Sequence, residues 1–115
     1  MSSGWTRLRK RADFQRVFLR GRSLAGRLLV LRWAPGSDGT VRIGLAAGRH
    51  LGGAVIRNRV RRRWREVIRR GPGLSGAWDL VLVARQPCVD ASWSELAGAW
   101  ADAVRRAGIG VLREG

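Results

Sequence analysis

Apolar positions along the chain switch between two periods, and the switches outline its elements. In RADFQRVFLR (residues 11–20), Phe14, Val17 and Phe18 recur at the i, i+3, i+4 spacing of one helix face. Asp13 suits the positive end of that helix and Gly21 its C-terminal cap. RLLVLRWA (residues 27–34) reads as a strand, PGSDG as a turn, and VRIGLAAG (residues 41–48) as a half-buried strand with Val41, Ile43 and Leu45 on one side. The short turn predicts that these two runs pair as a hairpin. DLVLVAR (residues 79–85) is continuously apolar, as in a strand covered on both faces. SWSELAGAWADAVRRAG closes the pattern as a helix, with Ser92 and Glu95 as a capping box and Trp93, Leu96, Ala97, Trp100 and Val104 as its buried stripe.

Between the second and third strand-like runs lies AVIRNRVRRRWREVIRR (residues 54–70), with eight arginines and one acid. At about 100° per residue, Ile56, Val60, Trp64, Val67 and Ile68 gather on one side. Asn58, Arg62, Arg65 and Arg69 lie opposite, while Arg57 and Arg61 border the apolar stripe and Arg59 lines the other edge. The apolar side docks the helix and holds a row of guanidiniums outward. Arginines at i, i+4 repel by a few tenths of a kcal/mol per pair, and Glu66 alone offers relief within the helix. A face assembled against its own stability points to an external anion. Guanidiniums fork onto phosphate oxygens, and Asn58 adds a neutral donor and acceptor for a base edge or 2′-hydroxyl.

Composition agrees. The 115 residues carry a formal charge of +15 and 45% hydrophobic residues, enough for one modest core and strongly suited to a polyanion. A single Cys88 and a single His50 exclude a disulfide framework and a Cys/His zinc site. The eight acids are scattered in sequence, so nothing advertises the carboxylate cluster of a metal-dependent nuclease. No metal ligands are assigned. No apolar run approaches a membrane span and no signal-peptide core is present, which predicts a soluble cytoplasmic protein. Residues 1–10 read as a flexible basic arm on a single domain covering 1–115. A DNA-binding regulator is disfavoured, because no second helix lies a short turn from the basic one.

GGAVIRNRVRRRWRE resembles the RNR signature of the bacterial ribonuclease P protein component. The flanks agree in order: DFQRVFLRGRS is similar to that family's first helix, VRIGLAAGR to the strand before the signature, and DLVLVARQP to the strand after it. The resemblance covers residues 8–106.

That resemblance implies an α+β fold, a two-layer sandwich of order α-β-β(-β)-α-β-α, with the RNR helix as a left-handed crossover between parallel strands. It implies the protein subunit of an endoribonuclease that removes the 5′ leader of precursor tRNA, with the catalytic centre on the RNA subunit and Mg2+ bound mainly by that RNA. Its partners would be ribonuclease P RNA and the precursor's leader, with no membrane and no obligate protein partner. Arg57, Asn58, Arg59, Arg61, Arg62 and Arg65 would face the catalytic RNA, with Arg69 extending the face. Phe14 and Phe18, with Val30, would line the leader cleft, and Arg32 stands there where the family suggests an aromatic. From pattern alone the phenylalanines would be core. A general RNA-binding module of ribosomal or chaperone type is the alternative reading.

Overall fold

The computed structural model describes residues 5–36 and 39–109. Five strands form one mixed sheet: β1 (Trp5–Arg7), β2 (Arg22–Ala25), β3 (Leu29–Pro35), β4 (Val41–Ala46) and β5 (Trp78–Ala84). Three helices accompany it: α1 (Arg11–Arg20), α2 (Ala54–Arg70) and α3 (Trp93–Ala107). The α+β class expected from the sequence holds, and α2 is the crossover between β4 and its parallel neighbour β5.

The strand order is β1-β4-β5-β3-β2, and it overturns the expected hairpin. Strand β5 enters between β3 and β4, antiparallel to the first and parallel to the second. The reason is burial. Five of the seven β5 residues are buried, so this strand needs neighbours on both edges and cover on both faces. The half-buried β3 and β4 flank it instead of each other. Ser37 and Asp38 of the expected PGSDG turn lie outside the described residues.

A second difference concerns the N-terminal arm. Residues 5–7 are not free but form β1, which pairs in parallel with Val41–Ile43 of β4, and the Leu8 amide continues the ladder by donating to the Ile43 carbonyl at 3.0 Å. Three residues are too few to show a period.

The main core lies on one sheet face, where Leu31, Ile43, Leu80 and Leu82 meet Val60, Trp64, Val67 and Ile68 of α2 and Leu96, Trp100 and Val104 of α3. The capping box of α3 is formed: the Glu95 amide donates to Ser92 Oγ at 3.1 Å and the Ser92 amide to Glu95 Oε1 at 2.8 Å. Trp93 departs from the expected stripe. It is the first residue of α3, 41% exposed, and carries the Arg70 guanidinium 5.5 Å from its ring centroid. Cys88 is buried, and burial pushes its thiol up, which leaves it inert.

Helix α1 covers the opposite face and adds a partial third layer. Its one buried residue, Val17, joins Leu8, Ala34 and Val81. That small cluster is supplemented by charge. Asp79 of β5 is fully buried on this face. Arg42 of β4 holds it with a fork, Nε to Oδ1 at 2.9 Å and Nη2 to Oδ2 at 2.7 Å, and Arg16 of α1 pairs with Oδ2. Arg16 also donates to the Pro35 carbonyl at 3.0 Å, and Arg42 reaches Asp13 of α1 at 3.4 Å.

Removing one member of a buried ion pair leaves the other charge uncompensated, at a cost of about 3–5 kcal/mol. Asp79→Ala should therefore lower thermal stability by that order, whereas Arg16→Ala, whose side chain is 32% exposed, should cost distinctly less. Denaturant melts of both variants check this, and equal small losses would show that the carboxylate does not hold the fold.

Candidate nucleic-acid interface

Helix α2 realises the outward row of guanidiniums. Val60, Trp64, Val67 and Ile68 are buried beneath it, and Ile56 packs at the core's margin. Asn58, Arg59, Arg62 and Arg69 are exposed, whereas Arg57, Arg61 and Arg65 are partly covered. The face is not uniform. Arg62 and Arg59 have no acidic partner among the described residues, while Arg69 Nε donates to Glu66 Oε2 at 2.9 Å. That bond, with Arg70 at 3.4 Å, holds the Glu66 carboxyl below its ordinary range and raises the Arg69 guanidinium above its own. Arg69 is thus already partnered, and the free end of the row is nearer Arg62. Arg61 Nη1 donates to Asn58 Oδ1 at 2.8 Å, which orients the amide. Arg63 serves the fold: its Nη2 donates to the Ala91 carbonyl at 2.6 Å and ties α2 to the start of α3.

The other expected group assembles on the opposite sheet face. Val30, Arg32 and Ala34 alternate toward α1, while Trp33 faces the main core. Val30 sits beside Val83 of β5, and Phe14, Ala46 and Val83 pack around the cluster under α1. The Phe14 ring lies directly over Gly44 of β4, where any side chain would collide with it. Phe18 is 40% exposed, with the Arg32 guanidinium 4.9 Å from its ring centroid and Arg32 Nη1 3.5 Å from its carbonyl. The four residues therefore share one surface: an apolar floor at Val30 and Val83, with two aromatic rings on its α1 side. The Arg32 guanidinium stacks on the Phe18 ring as a cation–π contact.

The sequence reading missed two features. The Asp79 cluster joins residues 37 and 63 positions apart, so no local pattern reveals it. Arg7 stands with Arg61 beside Arg65, whose guanidinium is depressed first by burial and then by those two charges. The only signal was a basic residue in a stretch too short to call.

Among the described residues no three of His, Cys, Asp and Glu converge to hold a metal ion. The acids are instead engaged by arginine: Asp13 and Asp79 by Arg16 and Arg42, Glu95 by Arg27, and Asp102 by Arg105 and Arg106. His50 is exposed beside the short turn before α2. No helix among the described residues is long and apolar enough to cross a membrane.

Comparison with known proteins gives this surface a context. The family model for ribonuclease P matches residues 4–108. A ribonuclease P protein component from Symbiobacterium thermophilum is 41% identical over 95% of this chain and 96% of its own length. One from Bacillus velezensis is 40% identical over 77% of this chain and 78% of its own. Among solved structures, the RNase P protein of Staphylococcus aureus superposes with a TM-score of 0.76 at 30% identity, covering 90% of this chain and 95% of that one. That of Thermotoga maritima gives 0.78 at 26% identity, covering 95% and 98%. With the family model spanning residues 4–108, a relative 41% identical over 95% of the chain and the fold shared with solved RNase P proteins, the chain belongs to the bacterial ribonuclease P protein component family.

Proposed function

We propose that this chain is the protein subunit of a ribonuclease P ribonucleoprotein that removes the 5′ leader of precursor tRNA in the cytoplasm. The observation that carries the reading is the guanidinium row of α2, docked on a core by its other side and nearly free of internal acid, within a chain of this family. Arg57, Asn58, Arg59, Arg61, Arg62 and Arg65 bind the catalytic RNA, with Arg69 as a lesser contributor. Phe14, Phe18, Val30 and Arg32 bind the single-stranded leader. Splayed bases stack on aromatic rings and guanidinium planes, and the sheet face under α1 offers both.

The catalytic centre, in this reading, is on the RNA. Magnesium supplies Lewis-acid and water-activating chemistry when bound there. The described residues do not fit a magnesium site, because their carboxylates are taken up by guanidiniums or stand apart. The protein's share is to bind, to orient the leader, and to reduce phosphate repulsion. Reconstitution with the host's ribonuclease P RNA tests the reading. Cleavage at the mature 5′ end should need both components, and cleavage by protein freed of RNA would overturn it. A general RNA-binding module would instead co-purify with many RNAs.

Two substitution sets follow. Arg62→Ala should weaken binding to ribonuclease P RNA and reduce its salt slope by roughly 0.7–0.9 for each phosphate the side chain no longer neutralises. Arg69→Ala should do less, because Glu66 already engages that side chain. Titrations at several salt concentrations decide, and equal, unchanged slopes would return the row to a solvated surface.

Phe18→Ala should cost precursor binding about 1–3 kcal/mol in the reconstituted complex if a base stacks there, with mature tRNA binding and the melting temperature unchanged. Phe14→Ala should lower both, because its ring also packs on the sheet at Gly44. The precursor-to-mature affinity ratio, taken beside a melt, separates stacking from packing.

A further inference from the structure

The two surfaces just described lie on opposite faces of the sheet, and a notch at the β1 edge touches both. It has a volume of about 350 Å3, within the range of small-ligand sites. Its lining takes Phe14 from the proposed leader set and Arg61 and Arg65 from the α2 row, and adds Trp5, Arg7 and Arg9. Four guanidiniums converge there, and among the described residues no acid lines the space. The sheet edge is also open. β1 pairs with β4 only as far as Ile43, so among the described residues Gly44 to Ala46, paired with β5 on one side, have no strand on the β1 side.

Like charges sharing a solvated rim is the plain alternative, and the coverage of Arg65 argues against it. That guanidinium is drawn down by burial before the charges of Arg7 and Arg61 act on it. Bringing two further cations up to a partly covered one, with no acid among the described residues lining the notch, raises the folded chain's energy unless an anion completes the group. The anion must also suit an aromatic wall. A phosphate attached to a flat base does, because the base can meet the uncovered part of the Phe14 and Trp5 rings, whereas inorganic phosphate offers them nothing. A base still paired in a duplex cannot reach the Phe14 ring.

We infer that this notch binds one nucleotide of single-stranded RNA, with its phosphodiester held by Arg7, Arg61 and Arg65 and its base against Phe14. The inference rests on the ribonuclease P reading and deepens it: β1 becomes part of the interface, and the strand bound there turns round the sheet edge from one face to the other. The leader and an unpaired segment of the catalytic RNA offer the same chemistry, so the experiment separates them.

The full chain, as wild type, Arg7→Ala, Arg7→Lys and Arg9→Ala, is titrated against ribonuclease P RNA alone. Each reconstituted complex is then titrated with precursor and with mature tRNA, at several salt concentrations. Arg7→Ala should lose about fivefold or more in affinity, the equivalent of one hydrogen bond, with a salt slope smaller by roughly 0.7. Loss in the first titration assigns the strand to the catalytic RNA, and loss of the precursor-to-mature ratio assigns it to the leader. Arg7→Lys should keep the slope but recover only part of the affinity, since an ammonium cannot fork onto phosphate. Arg7 and Arg9 are exposed, so melting temperatures should not move, and Arg9→Ala probes the notch without altering β1. Wild-type affinities and slopes for both alanine variants, beside a clear loss in Arg62→Ala, would overturn the notch and leave the wider reading standing. Silence in Arg62→Ala as well would overturn both.

Discussion

The placement of α1 depends on one buried carboxylate. Asp79 lies in the central strand with no exposure, a position where an isolated charge costs several kcal/mol after relaxation. It is kept there by guanidiniums from two other elements, Arg42 from the neighbouring strand and Arg16 from the helix above. Helix α1 has ten residues and buries only Val17 completely. One buried valine contributes roughly 1.5–3 kcal/mol, little against the entropy of fixing the helix. The ion-pair cluster supplies direction as well as energy, because a forked pair on β4 and a second cation from α1 meet at one carboxylate. Arg16 lies between Phe14 and Phe18 on the same helix, so its ion pair with Asp79 ties down the element that carries both rings.

The opposite face is built on a different balance. Helix α2 sets its guanidiniums against one another at a few tenths of a kcal/mol per i, i+4 pair. Beneath it Val60, Trp64, Val67 and Ile68 are nearly inaccessible, each contributing roughly 1.5–3 kcal/mol of burial. Burial exceeds the repulsion several times over, so the row persists without its ligand, and Arg63 adds a tether to the Ala91 carbonyl. A row held this way meets a polyanion already ordered, and less side-chain freedom is lost on binding.

What the sequence made legible was whatever repeats locally. The α2 stripe, the α3 capping box and the covered strand β5 follow from periods and caps within a few residues. Pairing partners do not, and the hairpin between β3 and β4 gave way to β5 because the strand most in need of cover takes the centre of the sheet. Trp93 fits its helix stripe by spacing, yet as the first residue of α3 it lies past the end of the core and rests against Arg70 instead. On the proposed interface, α2 was readable to the residue, while the split of its arginines was not. Arg63 bonding inward and Arg69 bonding to Glu66 are decided by neighbours that spacing does not reveal. Arg7 was invisible for a further reason: its companions Arg61 and Arg65 lie more than fifty positions away, joined to it only by the parallel pairing of β1 and β4.

The charge imbalance has a chemical consequence of its own. With 23 basic residues against eight acids, a carboxylate in a compact chain seldom escapes a guanidinium. Asp13, Glu66, Asp79, Glu95 and Asp102 each have an arginine within ion-pair distance, and Asp90 stands exposed. Two carboxylates held in this way cannot close around a divalent ion while arginines occupy their oxygens. The composition that suits the surface to a polyanion thus also engages most of the described carboxylates with arginine. In a ribonucleoprotein enzyme this is a workable division. Under the proposed function the protein would concentrate positive charge and present aromatic stacking faces, and the RNA, rich in phosphate oxygens, would hold the metal ions.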